Sequence, residues 1–186
     1  LPFARRRPTL RPLSKDQPMK PTLDHDSVTL WMRATPEQVY AVVADVTRTP
    51  EFSPEIIECN WLDGATGPAV GVRFKARNKV PNRPAWHNTP VITELEPGRR
   101  FGFERTEPFA GTVEWTYDFA PDGDGTLVTE SYAVTKPLSP IGWFVIGVLF
   151  GRKDRRTDLR VGMQQTLQRV RDAVERRDVA VPTDAG

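Results

Sequence analysis

Four side chains in this sequence have the chemistry to act on another molecule: Glu130, His87, Tyr132 and Cys59. Glu130 stands out by its position. Along 126–135, Val128, Tyr132 and Val134 alternate onto one face, and Glu130 falls in phase with them. That phase carries a carboxyl toward the side that must be buried. A buried carboxyl has to gain hydrogen bonds or keep its proton. Two roles fit it: a structural hydrogen bond to Asn78, Tyr117 or a backbone amide, or a polar fixture at the end of an apolar pocket. The opposite phase, with Leu127, Thr129 and Ser131 inward, would expose it. His87 and Tyr132 could join Glu130 in proton transfer, but spacing predicts no carboxylate partner for His87, and a solvated imidazole is the simpler reading. Cys59 reads most simply as a small core hydrophobe.

Composition removes several other chemistries. One cysteine excludes an internal disulfide and a cysteine-rich zinc site. His25 and His87 lie far apart, which argues against a transition-metal centre, so no metal or cofactor is expected. The net charge of +2 reflects an arginine excess concentrated at the two ends. No basic stripe interleaved with aromatics appears, so nucleic acid is not an expected partner. Arg5-Arg6-Arg7 is followed by Pro8, Arg11, Pro12, Lys15 and Asp16 instead of an apolar stretch, which rules against a twin-arginine signal. The apolar run 140–150 falls short of the roughly 20 residues that span a bilayer. A cytoplasmic protein, monomeric or homodimeric, is expected.

The elements that must position these groups are legible from periodicity. Leu159, Met163, Leu167, Val170 and Val174 form one apolar stripe at helical spacing, and Arg155, Arg156, Arg160, Arg169, Arg171 and Arg176 lie mostly off it. A helix over 159–177 would be roughly 28 Å long and needs a broad apolar surface beneath it. Upstream, 27–33 alternates as a first strand, and Thr35-Pro36-Glu37-Gln38 reads as a capped helix start. A short second helix is predicted over 47–54. Strands then follow at 56–62, 71–80, 86–95, 100–106, 112–119 and 126–135, separated by Gly, Pro and Asn turn signals. The expected class is α+β, with an antiparallel meander of about seven strands in the order β-α-α-β6-α. Residues 1–25 are proline-rich and aperiodic, hence a tail, with 1–18 an extension that the fold does not need. The domain is expected over 26–178, and 179–186 as a second tail.

Alternation assigns the inner face. Val113, Trp115, Tyr117 and Phe119 face inward, with Thr112, Glu114, Thr116 and Asp118 to water. Phe74, Ala76 and Asn78 face inward, as do Ile57, Cys59 and Trp61, and Phe101 and Phe103 add to the aromatic surface. A cavity would be lined by Trp61, Phe74, Asn78, Phe103, Trp115, Tyr117, Glu130 and Tyr132, roofed by Met163 and Leu167. By itself, such an aromatic row is more often plain core than pocket.

The order of elements, together with the segments 45–54, Trp61-Leu62-Asp63-Gly64-Ala65, Gly71-Val72-Arg73-Phe74, 96–101 and 125–132, resembles the SRPBCC group of polyketide cyclase/dehydrase-like and START-like lipid-transport proteins. The resemblance covers about 26–177. It implies a helix-grip fold, in which a curved sheet wraps the C-terminal helix, and a small hydrophobic ligand: a lipid, polyketide, sterol or aromatic compound. It fixes no activity, and no cyclase catalytic set carries over to these residues. Three functions follow as expectations. The first is a non-catalytic binder, with glycines 142, 147 and 151 and prolines 137 and 140 bracketing a segment that moves to admit ligand. The second is a cyclase or dehydratase using Glu130, His87 or Tyr132. The third is an interaction protein without ligand, docking 143–156 on an anionic membrane or an acidic partner.

Overall fold

The computed structural model describes residues 24–82, 84–107, 111–137 and 155–179. The apolar run 140–150, its bracketing glycines, Arg152-Lys153 and residues 1–18 lie outside them.

Alternating side chains produce β1 (His25–Met32), in which Asp26 and Met32 are buried and their neighbours exposed. Thr35 then caps α1 (Pro36–Ala44): its hydroxyl accepts from the Gln38 N–H, and the Gln38 side chain accepts from the Thr35 N–H. The expected second helix is two pieces, a 3-10 turn at Val46–Arg48 and α2 (Thr49–Phe52). The strands β2 (Ile56–Trp61), β3 (Phe74–Asn78), β4 (Trp86–Asn88), β5 (Val91–Glu96), β6 (Arg100–Glu107), β7 (Gly111–Asp122) and β8 (Gly125–Lys136) follow, and α3 (Arg155–Val179) closes the described chain.

Among the described residues every strand pairing is antiparallel. One sheet runs β1-β8-β7-β6-β5 and the other β2-β3-β4. The two meet where Arg73 bridges to Val91, and there the Gly71 and Phe74 amides donate to the carbonyls of Ile92 (2.8 Å) and Pro90 (3.1 Å). At the other edge, Gly125 brings β8 against β1. A Cβ there would collide with the Met32 carbonyl and the Trp31 ring, so a larger residue would force the strands apart.

Five expectations need correction. Among the described residues eight strands stand where about seven were expected, because 86–95 breaks at Thr89-Pro90: proline has no N–H to donate to a ladder. A register shift between Ile56 and Glu58 reverses the phase at the start of β2. Ile57 is therefore 48% exposed instead of inward, and Ile56 turns in. Thr112 and Thr116 are buried, not solvated: β7 is flanked on both sides, and Thr116 Oγ1 lies 2.6 Å from Ser131 Oγ and Thr112 Oγ1 lies 3.0 Å from Thr106 Oγ1. β1 begins at His25, inside the expected tail, because pairing with β8 continues to Ala133. The last helix likewise reaches Val179, one residue into the expected C-terminal tail.

The predicted stripe is what α3 buries. Met163, Leu167, Val170 and Val174 are all nearly inaccessible, and Leu167, Val170 and Val174 join Val39, Val42, Phe119 and Val128 in one core. Full burial of a leucine is worth about 1.5–3 kcal/mol. The off-stripe arginines do more than meet water. Arg155 forks onto Glu55 (2.6 and 2.9 Å), Arg160 forks onto buried Asp26 (2.9 and 2.5 Å), and Arg169 donates to the Phe52 carbonyl at the end of α2 (3.2 Å). Arg33 contributes its backbone amide to Glu175 (2.9 Å). Polar fasteners along its length thus fix how α3 lies over β1 and α2.

Candidate functional site: a cavity between sheet and helix

Between α3 and the inner face of both sheets lies a cavity of about 120 Å³. Its floor is the period-2 face of five strands: Phe74, Ala76 and Asn78 of β3, Asn88 of β4, Phe101, Phe103 and Arg105 of β6, Trp115 and Tyr117 of β7, and Glu130 of β8. Its roof is Leu159, Gly162, Met163 and Thr166, one side of α3. Val43, Val46 and residues 53–56 with Thr49 complete the wall, and Glu55, Arg155 and Asp158 bring charge to it.

The aromatic floor is packed edge to face. The Phe74 ring meets Phe103 at 5.4 Å and 78°, and Trp61 meets Phe74 from behind at 6.2 Å and 79°. Phe101 tilts against Phe103 (6.0 Å) and Tyr117 (6.4 Å). Such contacts stiffen the floor and leave ring faces and edges toward the cavity.

Glu130 is the chemical centre of this surface. Register places it directly opposite Tyr117, whose hydroxyl donates to Glu130 Oε1 at 2.7 Å. The residue is only 4% exposed, and Oε2 has no hydrogen-bond partner among the described residues. Burial pushes the carboxyl from its ordinary 4.5 up to about 8, against the lowering effect of the Tyr117 hydrogen bond. Burial likewise holds the Tyr117 phenol well above its usual value, helped by the adjacent carboxyl. At neutral pH the pair is therefore neutral, with one oxygen engaged and one available.

The structure sorts the residues named from sequence. Phe74, Asn78, Phe103, Trp115, Tyr117, Glu130 and Met163 line the cavity together. Trp61 stands one layer behind Phe74 instead of on the wall. Leu167 is consumed by the main core, one turn past Met163. Tyr132 shares the inward phase but stacks on Trp115 at 5.4 Å in a satellite cluster with Val113 and Met163, and does not line the cavity. His87 is exposed on the opposite face of β4 from Asn88 and pairs across to Arg77. The expected partnership of Glu130 with His87 or Tyr132 is thus replaced by Glu130 with Tyr117. Cys59 is a buried thiol, as expected; burial pushes it up to about 12.

Sequence reasoning missed Asn88 and Arg105 as lining residues. Arg105 was within reach, since it continues the inward row Phe101, Phe103 by the same alternation. Asn88, 7% exposed with Oδ1 unpartnered among the described residues, lies in a three-residue strand too short for alternation to assign its face; its pairing with inward Ala76 does so.

The fold recurs among solved structures. The di-domain ARO/CYC StfQ from the steffimycin biosynthetic pathway superposes with a TM-score of 0.69 at 16% identity, over 86% of this chain and 53% of that one. This chain therefore spans about half the length of that two-domain protein. The Polyketide_cyc-like protein Cgl2372 from Corynebacterium glutamicum is 31% identical, with 87% of this chain and 97% of that one aligned and a TM-score of 0.54. Major latex-like protein 151 from Panax ginseng shares the fold at 15% identity, over 69% of this chain and 93% of that one, with a TM-score of 0.50. These likenesses establish the α+β helix-grip architecture. No protein in the curated set matches the chain in sequence. The model of one family, described as polyketide cyclase / dehydrase and lipid transport, matches residues 27–175, and the chain belongs to that family.

Proposed function

We propose that the protein binds and carries a small, largely apolar ring compound, of aromatic or polyketide type, in the cavity between sheet and α3. The observation that carries this reading is the cavity wall itself: aromatic side chains fixed by one another, interrupted by a neutral Glu130–Tyr117 pair. A cavity near 120 Å³ is on the scale of a ring-sized guest, since an engineered apolar cavity of about 150 Å³ accepts benzene. Burying about 300 Å² of apolar ligand surface would contribute roughly 7 kcal/mol before ordering costs, which sets micromolar affinity as the upper range. Exposure of His87 on the far side of β4 favours binding over acid–base catalysis by that imidazole.

One observation favours a second reading, catalysed cyclisation. Glu130, raised to about 8, titrates in the range that suits a general acid or base near neutral pH. Native mass spectrometry of freshly purified protein, with solvent extraction of bound material, tests the first reading. A stoichiometric apolar ligand is expected, released chemically unchanged on repeated loading. Conversion of the loaded compound would favour cyclisation. A bare mass with no uptake from an aromatic and polyketide panel would overturn both.

A further inference from the structure

Among the buried polar atoms of the cavity lining, Glu130 Oε2 and Asn88 Oδ1 are oxygens that lack a hydrogen-bond partner among the described residues, one on each of the two sheets. They are not equivalent. A carboxamide can turn to present either an acceptor or a donor, so Asn88 restricts little. The Glu130 carboxyl is fixed: Oε1 already accepts from the Tyr117 hydroxyl, and burial keeps the group protonated at neutral pH. A neutral carboxyl with one oxygen accepting has its O–H left to give. An unmet donor in an apolar cavity is costly, and an occupant able to accept from it removes that cost.

We propose that the Glu130 carboxyl donates a hydrogen bond through Oε2 to an acceptor oxygen of an uncharged apolar ligand, and so selects for compounds that carry such an oxygen. This deepens the binding reading above and rests on it. The carboxyl is a specificity group: it discriminates an oxo compound from the hydrocarbon of the same shape. Other ionisable groups face the same cavity. They are Tyr117 on β7, Arg105 on β6, Glu55 before β2, and Arg155 and Asp158 on α3. Arg155 is forked onto Glu55, and the phenol of Tyr117 stays protonated beyond the range in which Glu130 ionises. Loss of the donor on raising pH is therefore a property of Glu130.

The test compares three single-ring probes of similar size, acetophenone, ethylbenzene and benzoate, by calorimetry or thermal shift on the full chain. At pH 6 the native protein is expected to bind the ketone about tenfold tighter than the hydrocarbon, the scale of one buried hydrogen bond. Glu130→Leu should bind both equally, whereas Glu130→Gln, whose carboxamide N–H can donate, should keep the preference. At pH 9.5 the native protein should lose the preference and Glu130→Gln should retain it. The Gln variant and the pH arm decide the matter even if the Leu variant does not fold. Equal binding of ketone and hydrocarbon by the native protein, or a preference surviving in Glu130→Leu, would overturn the proposal while leaving the binding reading intact. Tightest binding of the benzoate would overturn it in favour of an anion held by Arg105. Binding of none of the three would overturn the ring-compound reading, and this inference with it.

Discussion

Replacing Glu130 by glutamine should stabilise the protein, and by an amount that grows with pH. The folded state holds the Glu130 proton up to about pH 8, whereas an unfolded chain releases it near 4.5. The raised value makes the contribution fully present below pH 4.5, progressively lost as pH rises through about 8, and constant thereafter. Within that window each pH unit removes about 1.4 kcal/mol. Between pH 5 and pH 7 the native protein should thus lose on the order of 2–3 kcal/mol from this one group. Glutamine keeps the same outline, still accepts from the Tyr117 hydroxyl and carries no charge, so it should escape the loss. For a domain of this size 1 kcal/mol corresponds to about 2–4 °C in Tm. The variant should therefore gain roughly 5–10 °C on the native protein between pH 5 and 7. Thermal unfolding followed by circular dichroism at pH 5, 6, 7 and 8 measures the difference, on protein stripped of extractable ligand because a bound guest adds stability of its own. Every other titrating group is common to both chains and cancels. Parallel Tm-versus-pH curves would refute the argument that Glu130 is buried and protonated.

Tyr117→Phe removes the hydroxyl that donates to Glu130, and with it the effect that lowers the carboxyl. The Glu130 titration, followed by carboxyl NMR shifts, should move above about 8; an unchanged midpoint would show that the hydrogen bond is not made. Leu167→Ala empties a fully buried site in the α3 stripe and should cost about 2–5 kcal/mol by urea denaturation, whereas Val161→Ala, at an exposed position of the same helix, should cost well under 1 kcal/mol. Arg160→Ala leaves the Asp26 carboxylate buried without its guanidinium, which is the main influence holding that carboxyl below its usual range. The native pair should stabilise the fold above the ordinary carboxylate range and lose that effect as pH falls through the lowered value. Arg160→Ala should thus lower the Tm at neutral pH and narrow the gap in acid, and an equal deficit at every pH would refute the pairing. The Cys59 thiol, buried and pushed up to about 12, should react with a thiol reagent at neutral pH only after denaturant is added.

What the sequence discloses here, and what it withholds, follows from whether the governing interaction is periodic. The α3 stripe, the Thr35–Gln38 capping box and the inward phase of Glu130 are readable because burial of one face imposes a 3.6- or 2-residue rhythm on residue type. A single carboxylate in phase with Val128 and Tyr132 is conspicuous against that rhythm, and the structure does bury it. Rhythm fails wherever the backbone changes count. The slip between Ile56 and Glu58 exchanges the roles of two isoleucines that composition cannot distinguish. Pro90 divides one apparent strand, and in the short β4 before it Asn88 turns inward and His87 outward, the solvated placement that is the simpler reading of that histidine. Phase also says which face a side chain takes but not which neighbour waits there. Trp115, Tyr117 and Tyr132 all point inward, yet Trp115 occupies Tyr132 by stacking while Tyr117 stands opposite Glu130 in the ladder. That assignment depends on cross-strand register, which the turn between Asp122 and Gly125 sets and side-chain alternation alone does not. For the same reason the helical rhythm places Arg155, Arg160 and Arg169 off the apolar stripe but does not reveal what they bind. Their partners Asp26, Glu55 and the Phe52 carbonyl are more than 90 residues distant in sequence, and only the folded sheet brings them under the helix.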